Sequence, residues 1–201
     1  MSAASELARA KENLATENFA RVRRICERIL QTEPDSSEAL ALLATAEMRR
    51  LRFREAAPFF ERALKEQPDR PENWDKLGYC YLRLRLPEKA LAAYRHALKA
   101  QTPPFEALAG AAHILTGHGK TGEARALLQQ AMRLYPDNPE GWRMLSVLTD
   151  FRAEPKVLAA LEGLQSKVLH LPPNDQAQLY YALAIAYEAL GRKDNFRAAV
   201  E

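Results

Sequence analysis

Residues 71–104 read PENWDKLGYCYLRLRLPEKALAAYRHALKAQTPP, and this stretch decides the fold. Trp74, Leu77, Gly78 and Tyr81 recur at i, i+3, i+4 and i+7, one stripe of an amphipathic helix. Pro87 opens a second helix, whose first turn tolerates proline, and Ala90, Tyr94, Ala97 and Leu98 mark its buried stripe. Gly78 is costly inside a helix unless something packs closely on it, and Ala90 is the small residue expected to meet it. The same columns return every 34 residues: Leu30, Leu64 and Leu98; Ala56, Ala90 and Ala124; Ala63, Ala97 and Ala131; Phe60, Tyr94 and Leu128. Pro34, Pro68 and Pro136 are spaced by one and two such periods. A single-core domain has no reason to repeat itself in this way. The period predicts a stack of helical hairpins, each unable to bury its apolar face without a neighbour.

In such a stack, length counts repeats rather than cores, and 201 residues make about six units. The chain is 47% hydrophobic and 27% charged, ordinary for a globular protein, and no apolar run is long enough to span a bilayer. The start, Met1-Ser-Ala-Ala-Ser-Glu6, has no basic residue followed by an apolar stretch, so no secretory signal is read and a cytoplasmic setting is expected. Cys26 and Cys80 sit among apolar residues at helical spacing and read as buried thiols. His96, His113, His118 and His170 are scattered, with no i, i+4 pair, so no metal is expected.

The pattern Trp74-x2-Leu77-Gly78-x2-Tyr81, followed by Ala90-x3-Tyr94-x2-Ala97, resembles a tetratricopeptide repeat. Residues 37–70 carry Leu40, Leu43, Ala44, Phe53, Ala56, Phe60, Ala63 and Pro68 in the same columns. Residues 105–138 carry Leu108, Ala111, Ala112, Leu115, Ala124, Leu128, Ala131 and Pro136. Residues 3–36 match more weakly, through Phe19, Val22, Cys26, Ile29 and Pro34, as a terminal unit does. The resemblance implies an all-α, right-handed α-solenoid of helix-turn-helix hairpins running over 1–201.

Trp142, Leu145 and Ser146 begin a further unit in register, but register fails after Phe151. The second helix there, Pro155 to about His170, lacks the expected columns and Pro172-Pro173 arrives late, so residues 139–176 form an irregular repeat with a few residues inserted. Residues 177–201 read as an incomplete last unit, with Tyr180, Leu183, Ala184, Tyr187, Gly191 and Phe196, stopping one to two turns into a second helix. The stretch from Trp142 to Glu201 is also similar to the sequence just before the enzyme in bacterial proteins that join these repeats to a sulfotransferase domain. That similarity implies the substrate-recruiting region of a truncated sulfotransferase, whose catalytic domain lies outside this chain.

No nucleophile elbow, HExxH or CxxC is present, and the chain as given is expected to be no enzyme and to need no cofactor. Gly117-His-Gly-Lys-Thr-Gly122 offers amides, a lysine and a hydroxyl, yet it lacks the spacing and the strand of a phosphate loop and falls at an intra-hairpin turn. Carboxylates such as Glu38 and Glu72 occupy equivalent positions of successive repeats and reflect the period.

The family resemblance implies a concave groove lined by the first helix of each hairpin. Counting by the period collects its rows: Thr45, Tyr79, His113 and Val147; Leu42, Lys76, Gly110 and Met144; Arg49, Arg83 and Gly117. Lys76, Tyr79 and Arg83 share one helix face at i, i+3, i+7, and with Arg49 and Arg143 they form a basic groove with an aromatic floor. The candidate partner-binding residues are Thr45, Arg49, Lys76, Tyr79, Arg83, His113, Arg143 and Met144. The expected partner is a protein or peptide of acidic or carboxylate-bearing character, since arginine pairs bidentately with carboxylates and tyrosine supplies apolar area. Capture of acidic chaperone tails is argued against, because Thr45, Glu72, Tyr79 and Glu106 stand where that specificity requires amide and basic groups.

The turns inside hairpins are basic, with a dense run of Arg49, Arg50, Arg52 and Arg54 beyond what helix dipoles favour, and the joints between hairpins are acidic. That run is expected to meet an acidic partner or a polyanion. A net charge of +3 and the absence of a stacking platform argue against nucleic acid. The function read from the sequence is a protein-interaction scaffold with a peptide-binding groove; a self-associating assembly scaffold is the other alternative beside the truncated sulfotransferase.

Overall fold

The computed structural model describes residues 2–165, 170–192 and 195. Among them there is no strand, and eleven helices follow one another: α1 (Ala3–Ala15), α2 (Phe19–Thr32), α3 (Ser37–Arg49), α4 (Phe53–Glu66), α5 (Pro71–Arg83), α6 (Pro87–Ala97), α7 (Phe105–Gly117), α8 (Thr121–Leu134), α9 (Pro139–Val147), α10 (Pro155–Gln165) and α11 (Pro173–Ala189). Local chemistry sets the starts. Ser2, Asn18 and Asn138 accept hydrogen bonds from the N–H groups of Ser5, Arg21 and Gly141, and Pro71, Pro87, Pro139 and Pro173 sit where a missing N–H costs nothing.

The hairpins close by one repeated device. Glu17, Leu51, Arg85 and Gly119, each 34 residues after the last, all have positive φ (57°, 61°, 62° and 74°). The next residue's N–H then reaches back five positions, as in Arg52 to the Glu47 carbonyl and Leu86 to the Tyr81 carbonyl, both 2.9 Å. This is the left-handed helix end that glycine normally supplies, and three of the four positions hold it without glycine. Gly191 (φ 69°) closes α11 with the same bonds but comes 72 residues after Gly119, against 68 for two periods. Four residues have therefore been inserted between them.

The chain divides into two compact units, the first ending at Gly110 and the second beginning at Ala111, inside α7. In the first unit α1/α2, α3/α4 and α5/α6 pair as antiparallel hairpins, and α2 also packs on α3 and α4 on α5. The repeat columns are the core: Ala56, Ala63, Ala90 and Ala97 are fully buried, with Phe60 and Tyr94 beside them. One apolar cluster joins α1, α2 and α3 through Val22, Ile25, Cys26, Ile29, Leu42 and Leu43, and a second joins α3 to α6 through Phe53, Phe60, Leu77 and Cys80.

In the second unit Ala124, Leu128 and Ala131 continue those columns on α8. α8 packs on α9, and both α9 and α10 pack on α11. α9 is only nine residues long, and the chain from Leu148 to Glu154 passes through turns in which Phe151 is buried. The helix expected from Pro155 to about His170 is described from Pro155 to Gln165. Phe196 and the expected start of a last second helix lie outside the described residues.

The packing partner expected for Gly78 differs in the structure. Ala90 is buried, but the atoms against Gly78 belong to Tyr94: a Cβ at 78 would stand 2.6 Å from Tyr94 Cε1. The nearest atoms to that position are all of the Tyr94 ring, so the glycine makes room for an aromatic side chain.

Candidate partner-binding groove

Within the first unit α1, α3 and α5 are neighbours, so their outward stripes form a shared surface. The inward stripe of α5 is held by Leu77, Gly78 and Cys80, and this fixes Lys76, Tyr79 and Arg83 on the opposite face. A cavity of about 510 Å³ opens between the three helices, with Leu42, Thr45, Glu72 and Lys76 in its lining. Lys11 of α1 and Glu38 of α3 form an ion pair at its rim. Thr45 contributes its methyl, because its hydroxyl donates to the Ala41 carbonyl at 2.7 Å.

Beside this cavity the side chains are already aligned. Arg83 donates from Nη1 to the Tyr79 hydroxyl at 2.7 Å, and its guanidinium lies 4.7 Å from the Phe53 ring centroid and 5.7 Å from that of Tyr79. Phe53 and Tyr79 meet edge to face at 5.7 Å. The arginine is thus stacked on an aromatic pair, which reduces the rotamer freedom a partner would otherwise have to remove. Tyr79 is 38% exposed, so its ring remains available.

The other expected residues are placed differently. Arg49 is exposed and donates to the Leu14 carbonyl at 3.0 Å, tying the end of α3 to the end of α1. His113, Arg143 and Met144 belong to the second unit, His113 exposed on α7 and the other two half-buried on α9. The first unit therefore brings Thr45 and Lys76 to one cavity and Tyr79 to Arg83, with Arg49 holding two helices together.

The arginine run at the α3–α4 turn has an internal partner. Glu47 is fully buried, and Arg23 binds its Oε1 through Nε (3.2 Å) and Nη2 (2.7 Å), while Arg50 and Arg52 approach at 3.4 and 3.7 Å. Arg50 and Arg52 therefore stand against a buried carboxylate while their side chains remain partly exposed. The signal was in the columns: Glu47 stands one period before Tyr81 and two before Leu115, an acid in an apolar position.

Asp75 is a second residue that the groove count missed. Its Oδ1 is sealed from solvent with no hydrogen-bond partner. Burial pushes its carboxyl up to about 7, helped by the charges of Glu106 and Glu72 and opposed by Lys76. One period away on either side the column holds Ala41 and Ala109, so the sequence does mark a charge where an alanine fits.

The Gly117 to Gly122 stretch is the α7–α8 turn, with Lys120 donating its N–H to the Leu115 carbonyl. Among the described residues no three His, Cys, Asp or Glu side chains gather as a metal site, and no helix is long and apolar enough to cross a membrane.

Comparison with known proteins agrees with this architecture. Family models described as tetratricopeptide repeat match residues 13–77, 71–102, 105–148 and 177–201. The tetratricopeptide repeat-containing protein trd-1 of Caenorhabditis elegans is 28% identical over 98 residues, and the phagocyte signaling-impaired protein of Drosophila pseudoobscura pseudoobscura 24% over 141. These alignments cover 49% and 68% of this chain but only 13% and 14% of those relatives. Among solved structures, PilW, a widely conserved type IV pilus biogenesis factor, superposes with a TM-score of 0.74 at 20% identity, covering 98% of this chain and 90% of its own. YrrB, a TPR protein with an unusual peptide-binding site, gives 0.68 at 16% identity, covering 96% and 92%. At these identities the likeness shows the fold, an all-α solenoid of stacked hairpins. The repeat columns, the hairpin geometry and the family matches along the chain agree: this protein belongs to the tetratricopeptide repeat family.

Proposed function

We propose that this chain is a protein-interaction module that holds an extended segment of a partner along the α1, α3 and α5 surface. The observation that carries the reading is Arg83 stacked on Phe53 and bonded to Tyr79, two turns along the same helix face from Lys76 at an open cavity. A partner carboxylate would take charge-assisted hydrogen bonds from Arg83 and Lys76, while an adjacent apolar group would rest on Tyr79. YrrB, a neighbour in fold, is a TPR protein with an unusual peptide-binding site, and PilW is a type IV pilus biogenesis factor, which supports a partner of the protein class. No catalytic step is assigned to the chain. A cytoplasmic setting is part of the reading.

The test is Lys76→Glu combined with Arg83→Glu, with the partners recovered by crosslinking compared between parent and variant. Loss of ten-fold or more in recovery at unchanged helical content supports the groove. Unchanged recovery moves the interaction elsewhere. A concentration-dependent mass of the chain alone, removed by the same substitutions, would instead make a second copy the partner.

A further inference from the structure

A second cavity lies on the opposite side of α5, between α4 and α6, and the repeat itself explains it. The column that holds Ile25, Phe59 and Leu127 holds Ala93 in the third hairpin. Where Phe59 packs into its core, Ala93 leaves a hole of about 370 Å³ with Trp74, Leu77 and Tyr81 in its walls. The wall is mostly apolar, because its polar atoms are already bonded: Trp74 Nε1–H donates to the Pro68 carbonyl at 2.7 Å, and the Tyr81 hydroxyl donates to Glu61. His96 stacks on Trp74 at 4.2 Å between centroids, extending the aromatic surface to the rim.

The rim carries Lys65 from α4 and Lys89 from α6, and among the described residues neither has a carboxylate in ion-pair contact. Lys89 stands 5.6 Å from the Tyr81 ring centroid, at the mouth of the hole. Glu61, the one acid in the lining, accepts from the Tyr81 hydroxyl and keeps its charge, so the lining sets two ammonium groups against one carboxylate. The pocket thus offers an aromatic slot between two ammonium groups.

We infer that this pocket is a docking site, separate from the groove, for a partner segment that inserts one aromatic side chain with a carboxylate next to it. The slot has the size and apolar lining of a ring site, and the two lysines select the flanking charge. The site stands whether or not the groove binds a carboxylate, since the two share no residue.

The test uses indole-3-acetate as the minimal probe, titrated to 10 mM into the nitrogen-15-labelled full chain. The chain has two indole N–H signals, and Trp142, whose Nε1–H donates to the Pro136 carbonyl at the same 2.7 Å, is the internal control. A saturable shift of the Trp74 signal alone is expected, at least five-fold weaker for tryptamine, which carries an ammonium in place of the carboxylate. Ala93→Phe, a residue this column accepts at Phe59, is expected to abolish the response with the melting transition retained. Lys65→Ala with Lys89→Ala is expected to bring indole-3-acetate down to the tryptamine level without touching the slot. No Trp74 shift at 10 mM, an equal shift of Trp142, or equal binding of tryptamine overturns the proposal. So does a dimer of the free chain that Ala93→Phe converts to monomer, which would make a second copy the occupant.

Discussion

The ring of Tyr94 occupies the space that a side chain on Gly78 would need, 2.6 Å from the position of the missing Cβ, and its far end does the same at Gly110, 2.5 Å from that Cβ position. One aromatic side chain on α6 thus sets how closely α5 and the first turns of α7 approach. Alanine at 78 would gain about 1 kcal/mol of helix propensity but would force the ring out of a packed site, at about 1–3 kcal/mol. Gly78→Ala and Gly110→Ala are expected each to lower stability, by a net of up to about 2 kcal/mol in urea unfolding. In a Tyr94→Leu background, the residue type this column holds at Leu128, the penalty should vanish. A Gly78→Ala variant more stable than the parent would mean the contact is not tight.

Much of this architecture is legible in the residues, because hydrophobic periodicity records which face is buried. Ala56, Ala90, Phe60 and Tyr94 recur on the period and all lie in the core. The sharing of one face by Lys76, Tyr79 and Arg83 follows from helix spacing alone. What could not be read are contacts made between helices. Phe53 reaches Arg83 from the neighbouring hairpin, and the Tyr94 ring lies nearest to Gly78. Glu47 and Asp75 are different, since each interrupts a column and could have been found by comparing repeats. The left-handed turns at Glu17, Leu51 and Arg85 carried no glycine to announce them.

Leu51 combines that backbone strain with 67% exposure. A non-glycine residue in this region costs about 1–2 kcal/mol, partly offset in a glycine variant by the extra freedom of the unfolded chain. Leu51→Gly is expected to raise stability by about 0.5–1 kcal/mol, and Gly119→Ala, the same place one hairpin after Arg85, to lower it by a similar amount. Equal melting temperatures for both variants and the parent would show that the turn stores no strain.

Glu47 has no exposed surface and is held by three guanidinium groups that reach solvent. Removing one partner of a buried pair costs about 3–5 kcal/mol when the other is stranded, and here the arginines can turn outward. Glu47→Ala is therefore expected at the low end, about 3 kcal/mol, with a large share recovered in Glu47→Gln, which keeps an acceptor for Arg23. A loss under 1 kcal/mol would show that the carboxylate is solvated.

Cys26 and Cys80 are fully buried, and burial pushes both thiols up to about 12. The thiolate is the reacting form, so both should resist a thiol-specific reagent at pH 8 in the native protein and both should react once unfolded. Rapid native reaction of either would place it at a surface or show local opening.

Asp75 makes stability depend on pH with a definite sign. Its carboxyl ionises near 7 when folded, against an ordinary 3.8 in the unfolded chain. Between about pH 4 and pH 7 the unfolded state therefore binds fewer protons than the folded state. Stability from this group falls as pH rises across that window and is level above it. Asp75→Asn should flatten the fall and exceed the parent in stability at pH 8, by an amount on the order of 1–3 kcal/mol. Glu106→Gln should narrow the window, because the Glu106 charge raises the group more than that of Glu72, and loss of the Lys76 charge should widen it. Carboxyl carbon-13 titration of Asp75 measures this directly, and an inflection near 4 would show that Oδ1 is hydrated. The same proton bears on the groove. Below about pH 7 the neutral Asp75 carboxyl adds no negative charge beside Lys76, which favours a partner carboxylate. Ionisation above it adds a like charge beside the site, so affinity for such a partner should fall as pH rises through 7, and Asp75→Asn should remove that dependence.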